Sequence, residues 1–333
     1  MPFEELPQRY TSMWNYSIKQ NLTKNDIIVD VDNTEHIIDN GEFLDTFGTV
    51  AYKQMQIAKV ASLFQERKIK NNDVFFVPDI FYHGLESIRY MAELSDIKVK
   101  IVAFNHAGRA DKFDFVQKLG SWADTQEAAW HEMCDVVLVG SKHQKRNVEQ
   151  KFRCQNVVVT GAVWDKSWMD RFCSSIGKIR KENYVIYPHR ICQEKGFDKL
   201  VQIAKVNPNL RFIVTSCGKP KDVKYILPDN IEYRYNLSKL EYYKIFARAK
   251  NYLSTASQET FGYTIQEAIY FGCNIIAPNI ACYSEFVNRD CLVDYKDMCK
   301  DNWLTEVYSN NNLNNNSQFE DNAKRIINFI RNL

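Results

Sequence analysis

The chain has 333 residues, 45% hydrophobic and 25% charged, with a formal net charge of +2. That length suits two α/β domains of roughly 150 residues, each with its own core, and the near-neutral charge excludes polyanion binding by bulk electrostatics while leaving room for a local basic cleft. Nine cysteines without a C-x-x-C pair argue for reduced thiols over a disulfide frame or zinc site; Met1-Pro2-Phe3-Glu4-Glu5 lacks the features of a secretory signal, and no apolar run is membrane-length, so a cytoplasmic protein is expected.

In chain order, residues 8–22 carry Tyr10, Met13, Trp14, Ile18 and Leu22 at helical spacing. The first strand is expected at 27–32. Its Asp30-Val31-Asp32 has the form of a D-x-D metal site, but alternating Asp at a strand end is common, and no metal is assigned. A helix at 50–65 follows, with Gly48 and Thr49 at its start and Lys53 one turn in, either an ordinary capped helix or a phosphate contact. Strands at 74–77 and 99–104 end in Pro78-Asp79 and in Asn105-His106-Ala107-Gly108-Arg109. Ligands collect outside the carboxyl ends of parallel strands, which puts Asp79, His83, His106 and Arg109 on the expected rim. Residues 113–133 read as one helix and 135–140 as a strand. Ser141 then caps a basic helix with Lys142, His143, Lys145 and Arg146, a solvated face or a polyanion contact. A strand at 157–159 closes the first domain, and 161–181, without a strong period, reads as the connection.

The second domain opens with a strand at 184–187, then Pro188-His189-Arg190 and Glu194-Lys195-Gly196. This Arg and Lys suit a diphosphate, one giving forked hydrogen bonds and the other a compact charge. Strands at 211–215 and 231–235, the loop Asn236-Leu237 and a helix at 238–249 lead to the stretch that organises the chain, 254–285. There a strand end runs into Ser257-Gln258-Glu259-Thr260-Phe261-Gly262 and a helix at 263–271. Gly262 permits close backbone approach, and a helix N-terminus favours phosphate. Glu259 in the loop can meet a polar ligand, while Glu267, two turns into the helix, can accept from vicinal hydroxyls. A nucleotide sugar presents sugar, diphosphate and ribose together. The Asn-rich run 309–317 reads as a solvated loop, and 318–333, apolar at Phe319, Ile326, Ile327, Phe329, Ile330 and Leu333, as a terminal amphipathic helix.

The run Glu259-Thr260-Phe261-Gly262 to Glu267-Ala268, with Gly272, Pro278 and Glu285, resembles the paired-glutamate motif of retaining glycosyltransferases of the GT-B fold, family 4. Arg190 and Lys195 resemble the family's second donor motif, with His189 where many members have Gly. The resemblance implies an α/β protein of two Rossmann-like domains facing across a cleft: 1–165 for the acceptor, 166–316 for the nucleotide-sugar donor, and 317–333 packing back on the first. It implies that Arg190 and Lys195 stabilise the leaving diphosphate, Glu259 positions sugar hydroxyls, His106 contacts the sugar and Glu267 holds the ribose. Thr260, Phe261, Gly262, Gly48 and Thr49 would line the donor, and Asn236 and Leu237 would hold the base through backbone groups. No cofactor is required, Mg²⁺ at most stimulating; the donor is a nucleotide diphosphate-sugar.

Arg9-Tyr10-Thr11 with Trp14, Gly41-Glu42-Phe43-Leu44-Asp45, Gly48-Thr49, Tyr52-Lys53 and His106-Ala107-Gly108 are similar to phage-type proteins. Pro188-His189-Arg190 is similar to transferases that mannosylate queuosine in tRNA. These likenesses imply a hexose, glucose from UDP-glucose, moved to a modified base in phage DNA in the host cytoplasm, with Lys142, Lys145, Arg146 and Arg109 on DNA phosphates. A cell-wall, lipid-linked or small-molecule acceptor is the alternative, and a non-catalytic nucleotide-sugar-binding protein the non-enzyme reading.

Overall fold

The computed structural model describes residues 1–5, 9–31, 45–216, 227–310 and 322–333. Asp32, the run Gly41 to Leu44, Phe319 and the Asn-rich run from 311 onward lie outside the described residues. The chain divides into two compact units, Met1–Asp165 with Glu320–Leu333, and Lys166–Phe319.

In the first unit β1 (Val74–Val77), β2 (Lys100–Asn105), β3 (Val136–Val139) and β4 (Val157–Val159) pair in parallel in that order. The strands are near-continuous apolar runs, as parallel strands covered on both faces must be; β2 is buried from Ile101 to Asn105. Helices α1 (Thr11–Gln20) and α2 (Thr46–Gln65) precede β1, and α3 (Leu85–Leu94), α4 (Trp122–Met133) and α5 (Lys142–Phe152) occupy the connections. Three expectations are corrected here. Residues 27–31 form no strand: Ile27 and Ile28 are exposed, and the Gln56 side chain donates to the Val29 carbonyl at 2.9 Å, a bond that a neighbouring strand would otherwise make. The helix expected from 50 begins at Thr46, because the Asp45 carboxylate accepts from the N–H groups of Phe47 and Gly48 at 3.1 and 2.9 Å. The single helix expected at 113–133 is two elements, a 3₁₀ turn Phe115–Lys118 capped by Asp114 and then α4, with Gly120 between them.

The second unit holds β5 (Glu182–Tyr187), β6 (Arg211–Ser216), β7 (Ile231–Tyr235), β8 (Ala249–Leu253), β9 (Asn274–Pro278) and β10 (Leu292–Val293). They form one parallel sheet in the order β10-β9-β8-β5-β6-β7. Helices α7 (Phe197–Val206), α8 (Lys239–Arg248) and α9 (Tyr263–Tyr270) lie between strands, with α6 (Lys166–Cys173) before β5 and α10 (Tyr295–Met298) and α11 (Trp303–Asn310) after β10. Residues 161–181 are not a plain connection: α6 buries Trp168 and Met169, and Phe172 stacks on Trp168 at 5.1 Å. Alternate residues of β5 serve the two faces of the sheet, Tyr184 and Ile186 in one apolar cluster and Val185 and Tyr187 in the other. The chain lays down β5, β6 and β7 outward, then returns to the opposite flank of β5 with β8. The carboxyl ends of β5 and β8 therefore border a topological switch point, where open α/β sheets bind ligands.

The last helix, α12 (Asn322–Arg331), belongs to the first unit and packs on α1. Ala323, Ile326, Ile327 and Ile330 are buried along its inner face, Asn322 donates to the Ala162 carbonyl at 2.8 Å, and Arg331 bonds Asp26 at 3.0 Å. Among the described residues no helix is long and apolar enough to cross a membrane.

Candidate active site

The loops that follow β5 and β8 bring four charged side chains together. Lys195 Nζ lies 2.8 Å from Glu259 Oε1, 2.7 Å from Glu194 Oε1 and 3.3 Å from the Gln258 carbonyl oxygen, so the three ammonium hydrogens each have an acceptor. Arg190 Nη2 stands 3.3 Å from the other oxygen of Glu194, with the Arg190 side chain 48% exposed and that of Lys195 only 11%. Tyr187, at the end of β5, donates to the Lys195 carbonyl, and the Thr255 hydroxyl after β8 shares its one hydrogen between that carbonyl oxygen, at 2.9 Å, and that of Gly196, at 2.8 Å. Gly196 has φ +69°, and a Cβ there would stand 2.4 Å from the Thr255 carbonyl oxygen. That close approach couples the two loops. His189, the departure from the commoner pattern, is buried between the rings of Tyr187 and Tyr252, its Nε2 3.3 Å from the Tyr252 hydroxyl. Burial, and then the charges of Lys195 and Arg190, hold its pKa well below the usual value, so the imidazole is a neutral wedge behind Arg190.

Gly262 caps α9 in the left-handed conformation at φ +74°, which few side chains tolerate, and Phe261 packs its buried ring against Tyr263 and Phe286. Thr260 is half-buried beside them. Glu267, on α9, accepts a hydrogen bond from the Tyr242 hydroxyl of α8. Burial pushes the Glu267 carboxyl up to about 7, opposed by the Tyr242 and Tyr243 hydroxyls and by Lys239. Asn236, exposed at φ +54°, and half-buried Leu237 form the turn between β7 and α8, which the Ser238–Glu241 capping box closes.

The remaining expected residues lie in the first unit. His106 follows β2 with its ring among Phe3, Tyr10, Trp14 and Phe104, and its Nε2 lies 2.9 Å from the Pro78 carbonyl oxygen. Burial lowers its pKa to about 4, so it is a neutral hydrogen-bonding group at pH 7. Gly48 and Thr49 do not present N–H groups outward: Gly48 N bonds Asp45, Thr49 N bonds the Asp45 carbonyl at 2.9 Å, and the Thr49 hydroxyl donates to buried Glu4 at 2.9 Å. Lys53 is buried, paired with Asp79 at 3.4 Å and donating to the Phe81 carbonyl. Arg109 is paired with Asp124 at 2.6 Å, which Lys151 also meets at 2.6 Å.

Residues 170–297 match the family described as Glycosyl transferases group 1. Sucrose-phosphate synthase from Thermosynechococcus elongatus superposes with a TM-score of 0.64 over 97% of this chain and 88% of that one, at 12% identity. The chain has the GT-B glycosyltransferase fold. HepE from Anabaena, solved in complex with UDP-glucose, gives a TM-score of 0.54 over 83% of this chain and 77% of that one, at 12% identity. TarM gives 0.56 over 83% of this chain at 18% identity; the chain spans only about half of TarM's length, 54%. No curated protein matches the chain.

In this GT-B chain the sequence alone assigned no role to Glu194, which pairs with both Arg190 and Lys195. Its signal was present, next to Lys195 and four residues after Arg190, but such a spacing is ordinary on any surface helix. Tyr242 and Tyr243 carried no signal, since only the packing of α8 on α9 brings them to Glu267.

Proposed function

We propose that the protein is a retaining glycosyltransferase that moves a hexose, glucose from UDP-glucose, to a hydroxyl acceptor on a modified base of phage DNA. The second unit holds the donor and the first the acceptor. The observation that carries the donor half is the Arg190–Glu194–Lys195–Glu259 quartet at the switch point of the group 1 domain. Lys195 and Arg190 would meet the diphosphate and gain strength as it departs, an interaction favoured in the transition state. Because Lys195 already has three acceptors, the diphosphate must take the place of at least one. Glu259, released from Lys195, can then turn to sugar hydroxyls, while the Glu267 carboxylate accepts from the ribose. Neutral His106 would meet the sugar as a hydrogen-bonding group. The UDP-glucose found in HepE supports the donor assigned here.

The acceptor reading rests on sequence pattern. With Arg109 held by Asp124, phosphate contacts from α5 fall to Lys142, Lys145 and Arg146. The test offers labelled UDP-glucose and GDP-mannose separately against unmodified DNA, hydroxymethylated DNA and tRNA, with nuclease digestion to locate label. Label from UDP-glucose in hydroxymethylated DNA is the expected result. Donor hydrolysis without nucleic-acid label would retain the transferase and move the acceptor to cell-wall, lipid-linked or small-molecule hydroxyls. Binding of UDP-glucose with no turnover against any acceptor would leave a binding protein.

A further inference from the structure

At the amino-terminal end of the second sheet, remote from the quartet, a recess of about 1040 Å³ opens between the 175–183 segment and the carboxyl-terminal half of α8. β5 begins there and Arg190 lies past its other end, so six residues of strand separate recess from quartet, about 20 Å. Five lysine and arginine side chains line the recess against one carboxylate, whereas the whole chain nets only +2. Two of the five have local duties. Lys181 donates to the carbonyls of Ala249 and Phe271 at 2.8 and 2.6 Å, and Arg248 stands 4.0 Å from Glu182. Lys178, Arg180 and Lys244 are exposed, and they converge on the recess from two separate segments. Cations at a helix C-terminus are favoured by its dipole, which accounts for Arg248 in the last turn of α8. It does not account for Lys178 and Arg180, which lie on no helix.

We propose that this recess is a docking groove for a nucleic-acid strand, which it grips by the phosphate backbone without reading sequence. Charge selects a polyanion, and shape selects among polyanions: a strand can enter a recess, whereas a planar anionic membrane meets protruding groups. The lining holds no aromatic side chain on which bases could stack, so the contacts are to phosphates, and affinity comes from counterion release. The groove is separate from the donor site and acts whether or not the strand it holds is also the sugar acceptor.

The test is binding of a labelled mixed-sequence DNA oligonucleotide, single- and double-stranded, to the full chain without donor, over a salt series. The comparison protein carries Lys178→Gln, Arg180→Gln and Lys244→Gln, all at exposed positions away from the quartet, with thermal unfolding and UDP-glucose hydrolysis checked to be unchanged. The expected result is sequence-independent binding that weakens at least about tenfold in the variant, with the slope of log K against log salt reduced by about 2–3 units, 0.7–0.9 for each cation removed. No oligonucleotide binding by the unaltered protein, or equal affinity and slope in the variant, would overturn the proposal. So would binding to phosphatidylglycerol vesicles or to poly-glutamate in place of DNA. Because no sugar is transferred in this measurement, failure of the acceptor reading and failure of the groove are told apart.

Discussion

Lys195 shows how the quartet sets its own charge. Burial works against its ammonium, but Glu259 and Glu194 outweigh it and hold the pKa above the usual lysine value, so the cation persists throughout the neutral range. Lys195→Ala removes that cation and leaves two carboxylates facing the incoming diphosphate, so turnover is expected to fall by a factor of about 10² or more. A folded variant with unaltered turnover would remove Lys195 from the mechanism. Glu267 behaves in the opposite sense. Its carboxyl is raised from 4.5 to about 7, so the anion proposed to accept from the ribose is lost as the pH falls through 7. UDP affinity, measured by calorimetry, should weaken on the acid side of neutrality. For stability, the folded state holds this proton more tightly than the unfolded chain. The contribution is complete below about 4.5 and is lost as the pH rises to about 7, on the order of 3 kcal/mol. In Glu267→Gln that limb should vanish from denaturant unfolding compared at either end of the window; an unchanged pH profile would mean that Glu267 ionises normally.

At the scale of the element, loop geometry separates glycines that look alike in sequence. Gly196 caps α7 at φ +69° with the Thr255 carbonyl oxygen against it, whereas Gly272, at φ +64°, has open space where a Cβ would go. Gly272→Ala should cost only the left-handed backbone term, about 1–2 kcal/mol of stability, and leave turnover alone. Gly196→Ala adds a steric collision to a left-handed backbone cost of about 1–2 kcal/mol and displaces Lys195, so both melting temperature and kcat/KM should drop. Equal effects of the two substitutions would contradict the close approach of the β5 and β8 loops. The strands were legible at this scale wherever apolar runs ended in Gly, Pro or Asp, as at β1, β3 and β5. The run at 27–32 misled because Val29 and Val31 alternate inward as strand residues do, while a side chain, Gln56, bonds the Val29 backbone. The split near Gly120 was hidden by apolar residues on both sides of it, which keep a helical period across a break.

For the molecule as a whole, the chain end is part of the first unit and not an appendage. Removing residues 322–333 would forfeit the burial of Ile326, Ile327 and Ile330 against the first unit, about 2 kcal/mol each, a sum comparable with the net stability of an entire domain. Scanning calorimetry of that truncation is expected to lose the transition of the first unit and keep that of the second, since Lys166–Phe319 has its own sheet and clusters. Loss of both transitions together would show that the two units do not unfold independently.

The sequence by itself determined the α/β class, the near-neutral charge and the loops that carry the charged residues of the proposed donor site. Those are local properties: strand period, helix starts and the residue types Arg190, Lys195, Glu259 and Glu267 can be read without knowing what lies beside them. Tertiary structure alone decided that Glu194 joins Arg190 to Lys195, that α8 supplies the hydroxyl on Glu267, and that Gly48, Thr49 and Arg109 are spent on neighbours within the protein. The physical reason is the sheet order. Placing β8 beside β5 brings Lys195 to Glu259, 64 positions apart in the chain, and no period in the sequence records a contact made across that distance.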